Sequence, residues 1–148
     1  MQTRISAVND CALCKISRHE VQAAIVQEDE YILAIMDLYP ATRGHMLLMP
    51  KQHIEDIYAM PLQIGSRIME TAVQMAKAIR EKLSPDGLNL VQSNGILAGQ
   101  TIRHFHLHLV PRYAGDRVSL RFGHGTVPAN VDELAKMGSL IRAGLGTR

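Results

Sequence analysis

The chain has 148 residues, 47% of them apolar, enough for a single domain to close a core without help from disulfides. Sixteen Lys and Arg against 14 Asp and Glu leave a formal charge of +2 spread along the chain, which excludes a basic nucleic-acid tail and by itself names no partner. No stretch approaches the roughly 20 apolar residues that span a bilayer, and the opening MQTRISAVND lacks the apolar core of a signal peptide, so a cytoplasmic protein without membrane contact is expected.

In chain order, Cys11-Ala-Leu-Cys14 comes first and carries the only two cysteines, which a reducing compartment leaves free for metal or redox chemistry. Residues 21–26 and 31–36 read as two apolar strands joined by the acidic turn Gln27-Glu-Asp-Glu30, a hairpin. Turn residues fill 37–44, and His45-Met-Leu-Leu-Met49 is a third short strand whose ladder Pro50 ends. From Pro61, Ile64, Ile68, Ala72, Met75, Ile79 and Leu83 recur every three to four positions and predict a helix that Ser84-Pro-Asp-Gly87 stops. Leu88-Asn-Leu-Val-Gln-Ser93 gives a fourth strand, a Gly-bearing loop covers 94–100, and 103–110 gives a fifth strand ended by Pro111. Asn130-Val-Asp-Glu133, a capping side chain with an acid three residues on, starts a short helix to about Arg142. This pattern predicts an α+β domain, an antiparallel sheet of about five strands with helices on one face. No repeat, low-complexity segment or linker interrupts it.

His104, His106 and His108 alternate with Phe105, Leu107 and Leu109, so a strand here turns all three imidazoles to one face and the apolar set to the other. A lone histidine on such a strand is ordinarily a solvated polar residue; three in strict alternation are not. At ~3.3 Å rise per residue, the outer two lie about 13 Å apart along the strand, too far for the three rings to share one ion. They must divide their labour. Cys11-x-x-Cys14 suits two thiolates of a tetrahedral site completed by histidines; a redox pair is the rival, although the segment lacks the strand-to-helix start usual for one. Asn94, and Asp37 ahead of Pro40, read equally as turn chemistry or as ligand contacts, whereas Gln100-Thr101, a solvated turn if it stood alone, reads as a ligand contact beside the three histidines.

The run Gly99-Gln-Thr-Ile-Arg-His-Phe-His-Leu-His-Leu-Val-Pro-Arg112 resembles the signature of the histidine-triad family. The likeness extends to Cys11-x-x-Cys14-Lys-Ile, Asp37, Gly44-His-Met-Leu-Leu-Met-Pro-Lys-Gln-His53 and Asn94, about residues 10–115 in all. It implies a single histidine-triad domain over 1–148, with 116–148 as an extension on which the family is uninformative, and a homodimer whose two sheets join. It further implies that His106 attacks the α-phosphorus of a nucleotide, that His108 and His45 bind the phosphate oxygens, and that Asp37 holds the ribose. Asn94, Gly99, Gln100 and Thr101 are the further substrate contacts it implies, and apolar residues near Ile16, Ile25 and Ile35 the base pocket. The zinc-bearing relatives imply Cys11, Cys14, His53 and His104 as ligands of a structural zinc, with no organic cofactor. His19 and His124 fit neither set.

A side chain with an ordinary pKa of about 6.5 is largely unprotonated near neutrality, which suits a nucleophile without a separate strong base. The expected reaction is hydrolysis of nucleoside phosphoramidates or dinucleoside polyphosphates through a nucleotidyl-histidine, releasing a nucleoside monophosphate. Purine nucleotides are the expected partners. Transfer of the nucleotide to a sugar phosphate, a non-catalytic nucleotide sensor or scaffold, and simple metal buffering are the competing readings.

Overall fold

The computed structural model describes residues 8–120 and 129–145 and divides into two compact units, Met1–Val118 and Ser119–Arg148. In the first, helix α1 (Ala12–Ser17) precedes strands β1 (Ile25–Glu28), β2 (Ile32–Met36) and β3 (Met46–Pro50), then helix α2 (Leu62–Leu83), β4 (Gly87–Val91) and β5 (Leu107–Arg112). The strands form one five-stranded sheet of order β1-β2-β3-β5-β4 in which every pairing is antiparallel. In the second unit, helix α3 (Val131–Ala143) is capped by Asn130, whose side chain accepts from the Asp132 and Glu133 N–H groups.

Helix α2 forms where the apolar spacing predicts it, burying Ile68, Ala72, Met75 and Ile79. Pro61 sits just before its first residue, and left-handed Ser84 ends it with its N–H on the Arg80 carbonyl. Below it lie Ile32 and Ala34 of β2, Met46 and Leu48 of β3, and Phe105, Leu107 and Leu109. Leu33, Ile35, Leu47 and Met49 point the other way and are covered by Cys11, Leu13 and Cys14. The two central strands are therefore apolar on both faces. The expectation of helices on one face is corrected accordingly: α1, too short to announce itself by periodicity, packs on the face opposite α2.

The strand edges also move. Residues 21–24 lie outside the ladder, although the Ala24 carbonyl accepts the Met36 N–H at 2.9 Å, and β1 starts at Ile25 with a bulge before Gln27. The ladder of β5 starts at Leu107, four residues later than the alternation suggests, and runs on through Pro111 to Arg112. The register of β3 with β5 pairs Leu48 with Leu107, so Pro50 would stand opposite Phe105. Proline has no N–H to extend that ladder. The chain bends instead, with the Phe105 N–H on the Ile54 carbonyl at 2.6 Å and the His104 N–H on the Ile102 carbonyl at 2.9 Å.

Candidate active site and metal centre

The bend before β5 sends the histidines to two places. His104 is fully buried and its ring meets His53 edge-on at 5.1 Å between centroids, whereas His106 lies 4.9 Å from His108 and His108 lies 5.1 Å from His45. Phe105, Leu107 and Leu109 all enter the core under α2, so the side chains alternate although only the second half of the segment is in the ladder.

The hydrogen bonds fix each ring's tautomer. The His104 Nε2–H donates to the Pro50 carbonyl at 2.8 Å, which leaves Nδ1 as a lone pair 3.5 Å from Cys11 Sγ and 3.4 Å from Cys14 Sγ. His53 Nδ1 lies 3.2 Å from the Cys14 sulfur. In a tetrahedron with bonds near 2.3 Å to sulfur and 2.0–2.1 Å to nitrogen, the S···N edge is about 3.6 Å, so the four side chains stand nearly at the separations a zinc ion requires. Burial pushes the Cys14 thiol, with Cys11 beside it, up to about 12, and lowers His104 to about 4. A neutral imidazole is the form that binds metal, and a coordinating cation would take the proton off the thiol outright.

His106 donates its Nδ1–H to the His104 carbonyl at 2.7 Å, so its Nε2 carries the lone pair. His45 accepts the Ala41 N–H on Nδ1 at 3.0 Å, and its Nε2–H is 2.9 Å from His108 Nδ1. His108 in its neutral form therefore bears its proton on Nε2. Burial lowers His45 and, with His106 and His45 nearby, brings His108 to about 4, so this hydrogen-bonded pair is neutral near pH 7. Asp37 Oδ2 lies 3.4 Å from His45 Nε2 and 3.9 Å from His108 Nδ1, while Oδ1 accepts the Tyr39 N–H. Asp37, His45 and His108 are close enough to resemble a metal triad, but the Ala41 N–H occupies Nδ1 of His45 and commits its Nε2 to a proton.

The remaining expected contacts divide. Gln100 is buried with its amide spent on backbone, accepting from the Gly95 N–H at 2.8 Å and donating to the Glu55 and Ile102 carbonyls. Asn94 accepts the Ile57 N–H and pairs with Gln92. Both fasten the 94–102 loop to the segment after β3 and do not reach the histidines. Gly99 takes φ +90, a left-handed turn that suits glycine, and Thr101 is exposed. His19 is exposed beside Glu28, and His124 lies outside the described residues.

Next to Asp37 opens a largely apolar cavity of about 530 Å³ between α1, residues 21–24 and the Asp37–Pro40 turn. Ile16 and Ile35 line it as the sequence suggests; Ile25 does not, and Val21, Gln22, Leu38 and Tyr39 do. An unpaired segment with no periodicity gave no signal for these four.

Fold and site together define a small α+β protein that sets a run of imidazoles beside an apolar cavity and, across one bend of chain, a thiol and imidazole cluster. The HIT-domain family model matches residues 18–115, and the chain belongs to this histidine-triad family. It is 39% identical over 104 residues to Protein hit of Bacillus subtilis, covering 70% of this chain and 72% of that one. Adenylylsulfatase HINT3 of Arabidopsis thaliana is 35% identical over 73% of this chain and 55% of its own length. The crystal structure of a zinc-bound histidine triad family protein from Mycobacterium smegmatis aligns with a TM-score of 0.71 at 35% identity, covering 92% of this chain and 93% of that one. No helix among the described residues is long and apolar enough to cross a membrane.

Proposed function

We propose that this protein is a nucleotide hydrolase in which His106 displaces the group attached to the α-phosphorus of a purine nucleotide. The observation that carries this is the His106 tautomer: Nδ1–H is held by the His104 carbonyl, and Nε2 is left with its lone pair beside the His108 ring. In the first step the Nε2–phosphorus bond forms as the bond to the leaving group breaks; in the second, water attacks phosphorus, the N–P bond breaks, and a nucleoside monophosphate leaves. The His108 Nε2–H binds a phosphoryl oxygen, His45 holds that proton in place, Asp37 meets the ribose at the mouth of the cavity, and the base enters it. Gly99 and Thr101 flank the phosphate as backbone and hydroxyl contacts, with Asn94 and Gln100 keeping their loop in shape.

The substrates the site suits are nucleoside phosphoramidates and dinucleoside polyphosphates; the adenylylsulfatase relative adds the mixed anhydride of a nucleotide with sulfate. All three share a leaving group on the α-phosphorus. Cys11, Cys14, His53 and His104 would hold a structural zinc, supported by the zinc-bound relative and by their separations. Bound there, the ion would supply cohesion between α1 and the sheet, four protein ligands leaving no open position for water. The chain is then one cytoplasmic histidine-triad domain with 116–148 as its extension, working as a homodimer.

The test is to trap the protein during turnover of an adenosine phosphoramidate and weigh it by mass spectrometry. Wild type should gain one nucleotidyl group, and His106→Asn should gain none and lose at least about 10²-fold in rate. Equal, negligible turnover by both would leave a nucleotide-binding scaffold as the better reading.

A further inference from the structure

The cavity beside Asp37 is polar at few points. Asp37 is turned to the histidines and its Oδ1 is held by the Tyr39 N–H; Tyr39 is 85% exposed. Gln22 is different. It lies in the unpaired stretch between α1 and β1, lines the cavity among Val21, Ala23, Leu38 and Ile16, and makes no side-chain hydrogen bond with any described residue. At the rim of an apolar cavity, a solvated primary amide with no partner among the described residues can turn its donor and acceptor to a ligand that enters.

We propose that Gln22 reads the hydrogen-bonding edge of the purine base and sets the base specificity of this site. The inference rests on the nucleotide reading above, which brings the base into this cavity through Asp37. An amide presents a donor and an acceptor side by side and pairs with a base edge through both at once, as glutamine does with adenine. Adenine offers an adjacent donor and acceptor at its amino group and ring nitrogen; guanine offers the reverse at its carbonyl and ring N–H. Rotation of the amide by half a turn satisfies either. Gln22 therefore makes the cavity selective for a purine edge and tolerant of both purines. A carboxylate at this position keeps only acceptors and matches guanine's two N–H donors, while facing a lone pair on the adenine ring.

Binding of AMP and GMP, measured by calorimetry on the full-length protein as wild type, Gln22→Glu and Gln22→Leu, tests this. Purine riboside monophosphate, which lacks the exocyclic groups, serves as a third probe. Wild type is expected to bind AMP and GMP within a fewfold of each other. The Gln22→Glu variant should shift the ratio about tenfold toward GMP, and Gln22→Leu should weaken both while leaving the third nucleotide nearly unchanged. Because Gln22 is exposed and outside every regular element, both variants should fold; unaltered thermal unfolding checks this. Nucleotide binding with an unmoved AMP to GMP ratio in Gln22→Glu overturns the role of Gln22 alone. Absence of binding by wild type to all three probes overturns the nucleotide reading and this inference with it.

Discussion

Proton positions decide what each imidazole can do, and three backbone groups set them, the carbonyls of Pro50 and His104 and the N–H of Ala41, with His108 set in turn by the relay through the His45 ring. Replacing His45 with alanine removes the donor that keeps the His108 proton on Nε2, and kcat should fall about tenfold or more with a smaller change in KM. Steady-state kinetics on His45→Ala checks it; a change in KM alone would show that His45 binds substrate without ordering its neighbour. Burial of His108 also makes stability depend on pH. The unfolded imidazole titrates near 6.5, the folded one at about 4, so between those values the unfolded state binds more protons. Stability is thus full above about pH 6.5 and declines as the pH falls toward 4, by at most about 3 kcal/mol from this group and less by whatever solvent screens at its exposed edge. Urea unfolding at pH 7, 5.5 and 4.5 should show that decline, and His108→Gln should flatten it; equal slopes in both would remove burial of this ring as the cause.

The elements explain which parts of the site could be read beforehand. Helix α2 was legible because its buried residues fall at helical spacing over 22 residues, enough turns for the pattern to repeat. The cluster of Cys11, Cys14, His53 and His104 came from family likeness, since nothing in a spacing of two or of forty residues says that a bend in one loop meets a helix at the other end of the chain. Helix α1 has six residues and no room for a period. The ties of Gln100 to three backbone groups had no sequence signal, because a polar side chain beside a histidine run reads first as a ligand contact. The turn into β3 offers a test at this scale. Gly44 takes φ +86, and a Cβ there would strike Leu83 at the end of α2 and sit 3.3 Å from Pro111. Gly44→Ala should cost about 1–3 kcal/mol, seen as a lowered urea midpoint, because the left-handed backbone and the crowding act together. A neutral substitution would mean that the Leu83 side chain yields and the turn is unstrained.

Across the whole first unit, the sheet is a partition with a helix on each side, and the two coverings are unequal. Helix α2 lays Ile68, Ala72, Met75 and Ile79 on one face, while α1 lays Leu13 and the cysteines on the other. The thin covering should depend on the zinc proposed for Cys11, Cys14, His53 and His104. Removing it with a strong chelator should lower the unfolding temperature by several degrees and restoring zinc should reverse this, with one equivalent bound per chain. An unchanged melting curve would show that α1 holds without it. Truncating Leu48, fully buried under α2, should cost about 2–5 kcal/mol with or without zinc, because that side of the partition rests on packing. The pyrrolidine ring at the end of β3 decides more than where a strand stops. One missing amide hydrogen keeps the sheet from zipping up by another rung, and had it zipped, the pleat would have lined His104 up with His106 and His108 along one strand. The sulfurs would then have had no nitrogen from the triad to meet, and two kinds of chemistry that now sit back to back on a single peptide group would have competed for one face.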